Sequence, residues 1–87
     1  MNTLIKYIES IPLGYSEGVY SNAKYGITKA VFNNGKSYKI YAKELQDNDF
    51  ISLNYYITST KELLKPCEIP KEKVIHFLKN IKLISTH

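Results

Sequence analysis

The sequence predicts an α+β fold: an antiparallel meander sheet of four or five strands with an N-terminal and a C-terminal helix on one face. Three observations predict it. Asn34-Gly35 separates two runs rich in β-branched and aromatic residues, and residues 50 to 58 alternate with period two. Val74, Phe77, Leu78, Ile81 and Ile84 recur at three- and four-residue steps. The 87 residues make a single compact domain, 1–87, with 44% apolar and 23% charged residues. That composition is globular rather than disordered. At this length only about 60–65% of the unfolded surface is buried on folding, so the core is modest and a deep site is not expected.

The elements follow in order. Leu4, Tyr7, Ile8 and Ile11 lie on one helical stripe over residues 2 to 10. Asn2 or Thr3 can cap its start, and Pro12 forces its end. Pro12, Gly14 and Gly18 mark a loop into a short extended piece at Val19 and Tyr20, followed by a turn at Ser21, Asn22 and Ala23. A hairpin then joins Lys24–Asn33 to Lys36–Glu44 through a type I′ turn at Asn34-Gly35, whose centres tolerate positive φ. This register pairs Val31 with Tyr38 and Ile27 with Ala42, with Ile40 on the same side and Lys29 as the misfit. Thr28, Ala30, Phe32, Ser37, Lys39 and Tyr41 take the other side.

Gln46 to Asp49 form the next turn. Ile51, Leu53, Tyr55 and Ile57 then alternate with Phe50, Ser52, Asn54, Tyr56 and Thr58 in a strand, and Glu62 to Lys65 pair as a short last strand before Pro66. Pro70 suits the first position of the closing helix. Its apolar stripe packs on the sheet side bearing Ile40, Leu53, Tyr55 and Ile57, with the N-terminal helix beside it.

All twelve cationic residues are lysines, and the net charge is +4. Lysine is a hydrated point charge without the bidentate fork that reads guanine or clamps phosphate, so the charge reads first as a solvated surface. No apolar run approaches the roughly 20 residues that span a bilayer, and no basic start with a long apolar stretch marks a signal peptide. The expectation is a cytoplasmic protein that does not engage membranes.

The chemistry-bearing residues are sparse. Cys67 precedes the closing helix, where a helix start can favour a thiolate, but the adjacent carboxylate of Glu68 opposes that and no base lies near in sequence. A buried or partly buried structural cysteine is expected, with a reactive thiol as the lesser reading. His76 falls on the helix side opposite the stripe and should face water, and His87 ends the chain. Asp47, Asn48 and Asp49 lack the glycine and distal glutamate of a calcium loop and read as a turn. Glu9, Glu17, Glu44, Glu62 and Glu72 show no paired-acid pattern. No catalytic, cofactor-binding or metal-ligating set is assigned, and an enzyme is not expected.

Eight tyrosines are the remaining signal. Tyr41 and Tyr56 fall on the sheet side away from the helices, beside Lys39, Ser52 and Asn54. Such a face can be solvated strand surface, a protein contact including self-association, or a platform that stacks the bases of single-stranded nucleic acid.

Several stretches carry a resemblance: GYSEG at Gly14 to Gly18, YGIT at Tyr25 to Thr28, GKSYKIYAKEL from Gly35 to Leu45, DFISLNYY at Asp49 to Tyr56 and LLKPCEIP at Leu63 to Pro70. In these the chain resembles short bacterial proteins often labelled peptide methionine sulfoxide reductase. The resemblance implies a compact unit in which the LKPCE stretch links sheet to helix. It assigns no catalytic residue, because reductases of that class carry a Gly-Cys-Phe-Trp type motif. This chain has no tryptophan, and its one cysteine sits in Pro66-Cys67-Glu68 without a resolving thiol.

The expected function is a small non-enzymatic binding or regulatory module acting through protein contact or self-association, with Lys39, Tyr41, Ser52, Asn54 and Tyr56 as its surface. The alternatives are a thiol-dependent redox protein using Cys67 and a single-stranded nucleic-acid binder using the sheet-face tyrosines and lysines.

Overall fold

In the computed structural model, residues 4–84 are described. In chain order they form α1 (Leu4–Glu9), β1 (Gly14–Tyr20), β2 (Ala23–Phe32), β3 (Ser37–Glu44), β4 (Phe50–Ile57), β5 (Glu62–Pro66), α2 (Lys71–Asn80) and β6 (Lys82–Leu83). The sheet is antiparallel throughout, in the order β5-β4-β3-β2-β1-β6. Strands β1 to β5 are the meander, and α2 returns the chain from the β5 edge to the β1 edge. The strand count is therefore six, against an expectation of four or five.

Strand β6 is the addition. It pairs Gly18 with Leu83 and Val19 with Lys82, and the Ile84 amide donates to the Glu17 carbonyl at 2.8 Å. The helix accordingly stops at Asn80 rather than running on to Ile84, with Ile81 extended as its C-cap. At the other end Pro70 is the N-cap, with φ −66 and ψ 147, instead of the first helical residue. Its carbonyl accepts from the Lys73 amide at 3.1 Å, so it still opens the helix. The extended piece expected at Val19 and Tyr20 is a full seven-residue strand, because β2 supplies a partner along its whole length. The proposed caps Asn2 and Thr3, and His87, lie outside the described residues.

The central hairpin keeps the expected pairing of Val31 with Tyr38 and Ile27 with Ala42. Its turn differs. Asn33, Asn34 and Gly35 all have positive φ, 56, 57 and 86, and the last pair is Phe32 with Ser37. Three successive left-handed residues close a four-residue loop, which only asparagine and glycine adopt cheaply.

One side of the sheet makes the core. Ile27, Ile40, Ala42, Ile51, Leu53 and Tyr55 cluster there with Ile8 and Ile11 from the N-terminal segment and with Val74, Phe77 and Leu78 from α2. Tyr20 and Tyr25 pack edge-on to Phe77, with ring centroids 5.0 and 5.5 Å away. Lys29, the sequence misfit, is buried among them. Its ammonium donates to the carbonyls of Ile8 at 2.7 Å and Ile11 at 2.8 Å, and lies 5.3 Å from the Tyr38 ring centroid. These carbonyls lie at the end of α1, where a helix leaves acceptors without partners and a cation is favoured.

Candidate functional site

Strand alternation places a second set of side chains on the opposite side of the sheet. Register fixes the set. Across β3 and β4, Tyr41 stands opposite Ser52, Lys39 opposite Asn54, and Ser37 opposite Tyr56. Across β4 and β5, Asn54 stands opposite Lys65 and Tyr56 opposite Leu63. The structure thus brings Lys39, Tyr41, Ser52, Asn54 and Tyr56 onto one contiguous surface. Both helices contribute to the other side, and no described helix packs over this one.

The surface is richer than the five residues singled out by sequence. Phe50 stacks on Tyr41 with ring centroids 6.2 Å apart and planes 27° from parallel. Lys43 is the strand partner of Phe50. The Tyr41–Phe50 pair is therefore framed by lysines: Lys39 and Lys43 on either side along β3, and Lys65 two strands from Lys39 in the same cross-strand row. With strands about 4.8 Å apart and about 3.3 Å per residue, Lys39 lies about 10 Å from Lys65 and about 13 Å from Lys43. Farther along, Phe32 is 52% exposed and Tyr15 61% exposed. Glu17 shares their side on β1, and its carboxylate accepts from the Tyr15 hydroxyl at 2.9 Å. That bond and the nearby negative charge push the Tyr15 phenol above its ordinary pKa.

Gly26 explains how Tyr15 reaches across β2. A Cβ at Gly26 would come within 2.6 Å of the Tyr15 hydroxyl and 3.2 Å of Leu45, so the missing side chain lets both lie on the sheet. Ser37 is buried on this same side, with its hydroxyl accepting from the Asn33 amide at 2.9 Å. It serves the turn rather than the surface.

Cys67 overturns its sequence reading. It is free and exposed rather than buried or partly buried. Its amide donates to the Ser52 carbonyl at 2.9 Å, continuing the β4–β5 ladder by one residue past Pro66. One residue past core-side Pro66, Cys67 alternates to the Lys65 side of the sheet, away from the core, and Glu68 then turns the chain at φ 65.

His76 is exposed as expected, but it is not idle. Its Nδ1 shares a hydrogen bond with the Tyr20 hydroxyl at 2.6 Å, and the two rings meet edge-on at 5.5 Å. Together with Ser21, Asn22, Asn80 and Lys82 they line a shallow cleft of about 330 Å³. Sequence reasoning could not find this contact. The partners are 56 residues apart and meet because α2 recrosses the sheet.

On the same side, the Asp49 carboxylate accepts from the Tyr25 hydroxyl at 2.6 Å and pairs with the Lys73 ammonium. The lysine, and then the tyrosine, hold the Asp49 carboxyl below its ordinary pKa, while burial and Asp49 raise that of Tyr25. This residue, read as part of a turn, also clamps the turn to α2.

No helix among the described residues is long and apolar enough to cross a membrane. No family model, curated protein or solved structure matches the chain.

Proposed function

We propose that the protein is a small non-enzymatic binding module that contacts another protein through the open side of its sheet. One observation carries this reading: aromatic and lysine side chains from β3, β4 and β5 converge on a single strand surface that neither helix covers. Tyrosine and phenylalanine supply large contact area at low entropic cost and are enriched at protein contacts. The Tyr41–Phe50 stack and Tyr56 are the anchors, with Ser52 and Asn54 as hydrogen-bonding groups between them. Aliphatic neighbours such as exposed Leu45 and half-buried Leu63 suit a protein surface better than bases.

The test is affinity capture from native lysate by the wild-type protein and by the Tyr41→Ala/Tyr56→Ala variant, with and without nuclease. A protein retained by the wild type, lost from the variant and indifferent to nuclease supports the reading. Equal retention by both proteins defeats it. Retention that disappears with nuclease transfers the surface to nucleic acid.

A further inference from the structure

We infer that the partner of this surface is an acidic segment of a different protein, rather than a second copy of the chain or a nucleic acid; this rests on the reading above that the open side is the contact. The charge of the surface is one-sided. Lys39, Lys43 and Lys65 frame the Tyr41–Phe50 stack, and Lys24 stands at the strand position opposite Val19 on the same side. Among the strand residues of this side, Glu17 is the one carboxylate, and the Tyr15 hydroxyl already occupies it. The Lys43 ammonium donates to the main-chain carbonyl of Asp47, at 3.2 Å, which orients it without cancelling its charge.

Two identical faces laid together would set these lysines against one another. A symmetric contact places the same patch on both partners, and like charges in apposition are costly. Lysine is moreover depleted from the centre of ordinary protein contacts. Five of them on the open side, Lys82 of β6 opposite Val19 included, fit a partner that brings carboxylates at matching positions.

Nucleic acid would also bring negative charge, but three features disfavour it. The chain has no arginine to fork onto phosphate or stack on bases. One ring face of Tyr41 is already taken by Phe50, which reduces the free aromatic surface for base stacking. Glu17 places a carboxylate on the β1 side, where a phosphate backbone crossing the whole sheet would meet it. A short acidic segment lying over β3 to β5 needs no base stacking, stops before Glu17 on β1, and places its carboxylates as point-charge partners of the lysines.

The experiment uses a random glutamate–tyrosine copolymer as the acidic probe and oligodeoxythymidine as the nucleic-acid probe, titrated against the full chain. The variants are Lys39→Gln/Lys43→Gln/Lys65→Gln, the Lys6→Gln/Lys71→Gln/Lys79→Gln control with its changes on the helices, and Tyr41→Ala/Tyr56→Ala. The sheet-side lysine variant should bind the copolymer about tenfold or more weakly than wild type, with the loss shrinking at high salt. The helix-side control should bind as wild type does. Equal losses from both lysine sets would show attraction by net charge alone and overturn the inference. So would tighter binding of oligodeoxythymidine than of the copolymer at the same residues, or a concentration-dependent dimer in sedimentation that the sheet-side substitutions strengthen. Loss of copolymer binding in the tyrosine variant but not in the sheet-side lysine variant leaves the open face as the contact and overturns only its acidic partner. If neither variant loses binding, both readings fall together.

Discussion

The ammonium of Lys29 lies 2.7 Å from the carbonyl oxygen of Ile8, and this contact ties the end of α1 to the middle of β2. A second bond reaches Ile11 at 2.8 Å, so a single side chain answers two acceptors at the point where the helix runs out. Burial lowers the pKa of this lysine, with Glu9 partly opposing, yet the two carbonyls and the Tyr38 ring favour keeping it charged. Lys29→Met should cost about 2 kcal/mol or more, because it fills similar space while taking the ammonium from the Ile11 carbonyl and leaving the Ile8 carbonyl with the Ile11 amide alone. Urea denaturation measures the loss. Faster hydrogen exchange at the Ser10 and Ile11 amides, which close the last turn of α1, would locate it there.

Two glycines should respond oppositely to the same substitution. At Gly18 a Cβ would meet Ile81 at 2.9 Å and the Lys82 carbonyl at 3.0 Å, and the carbonyl belongs to the strand that pairs with it. Gly18→Ala should therefore displace β6 and cost about 1–3 kcal/mol. At Gly26 the closest atom is the far end of Tyr15, an exposed side chain that can swing away by giving up a surface hydrogen bond to Glu17. Gly26→Ala should cost less than about 1 kcal/mol, since the added methyl also suits a strand better than glycine does. Thermal melts of the two variants side by side decide the matter; a larger loss at Gly26 would show that Tyr15 is held in place.

The contrast between these sites shows what was legible in the sequence. Alternation across Phe50 to Ile57 and the stripe of Val74, Phe77 and Leu78 report local periodicity, and the structure follows both. The hairpin register was legible because Asn34-Gly35 fixes the midpoint, even though the loop is longer than the two-residue turn expected. That register places Lys39 and Tyr41 on one side, and the alternation of β4 places Ser52, Asn54 and Tyr56 away from its core-facing set. Strand β6 left no such trace: two residues are too short for a pattern, and Ile81 and Ile84 extend the helical stripe of α2 by coincidence of spacing. The bond from Tyr20 to His76 and the clamp on Asp49 arise from the recrossing of α2, which no local signal encodes. Lys29 looked like an error of pattern because its partners are main-chain carbonyls.

The Asp49 clamp should appear in the acid limb of stability. Its carboxyl titrates below the ordinary value of 3.8, chiefly because of Lys73 and then Tyr25. A depressed native pKa means that the unfolded chain binds the proton more readily. The contribution is complete above the ordinary value and is lost as pH falls through the native one. Asp49 and Lys73 are each about a third exposed, at 35% and 34%, so screening limits the effect to about 1 kcal/mol. Asp49→Asn should remove it, bringing the variant's stability closer to wild type at pH 2 than at pH 7. A constant difference between the two proteins at both pH values would mean that Asp49 acts only as a hydrogen-bond acceptor.

Adjacent tyrosines on β4 give the sharpest test of which side of the sheet is open. Tyr55 has no exposed surface and packs in the core, whereas Tyr56 stands opposite Ser37 on the other side, partly exposed. Tyr55→Ala should cost about 3–5 kcal/mol, the range for emptying a buried aromatic site, and it also leaves the Glu62 carboxylate without the hydroxyl that donates to it. Tyr56→Ala removes contact surface without opening a cavity and should cost about 1 kcal/mol or less. Tyr41→Ala forfeits its stacking on Phe50, also worth about 1 kcal/mol. The three variants thus separate by chemical denaturation before any partner is in hand. If Tyr56→Ala proved as damaging as Tyr55→Ala, both sides of β4 would be buried in solution, something would cover the aromatic surface already, and it would not be free to receive a partner.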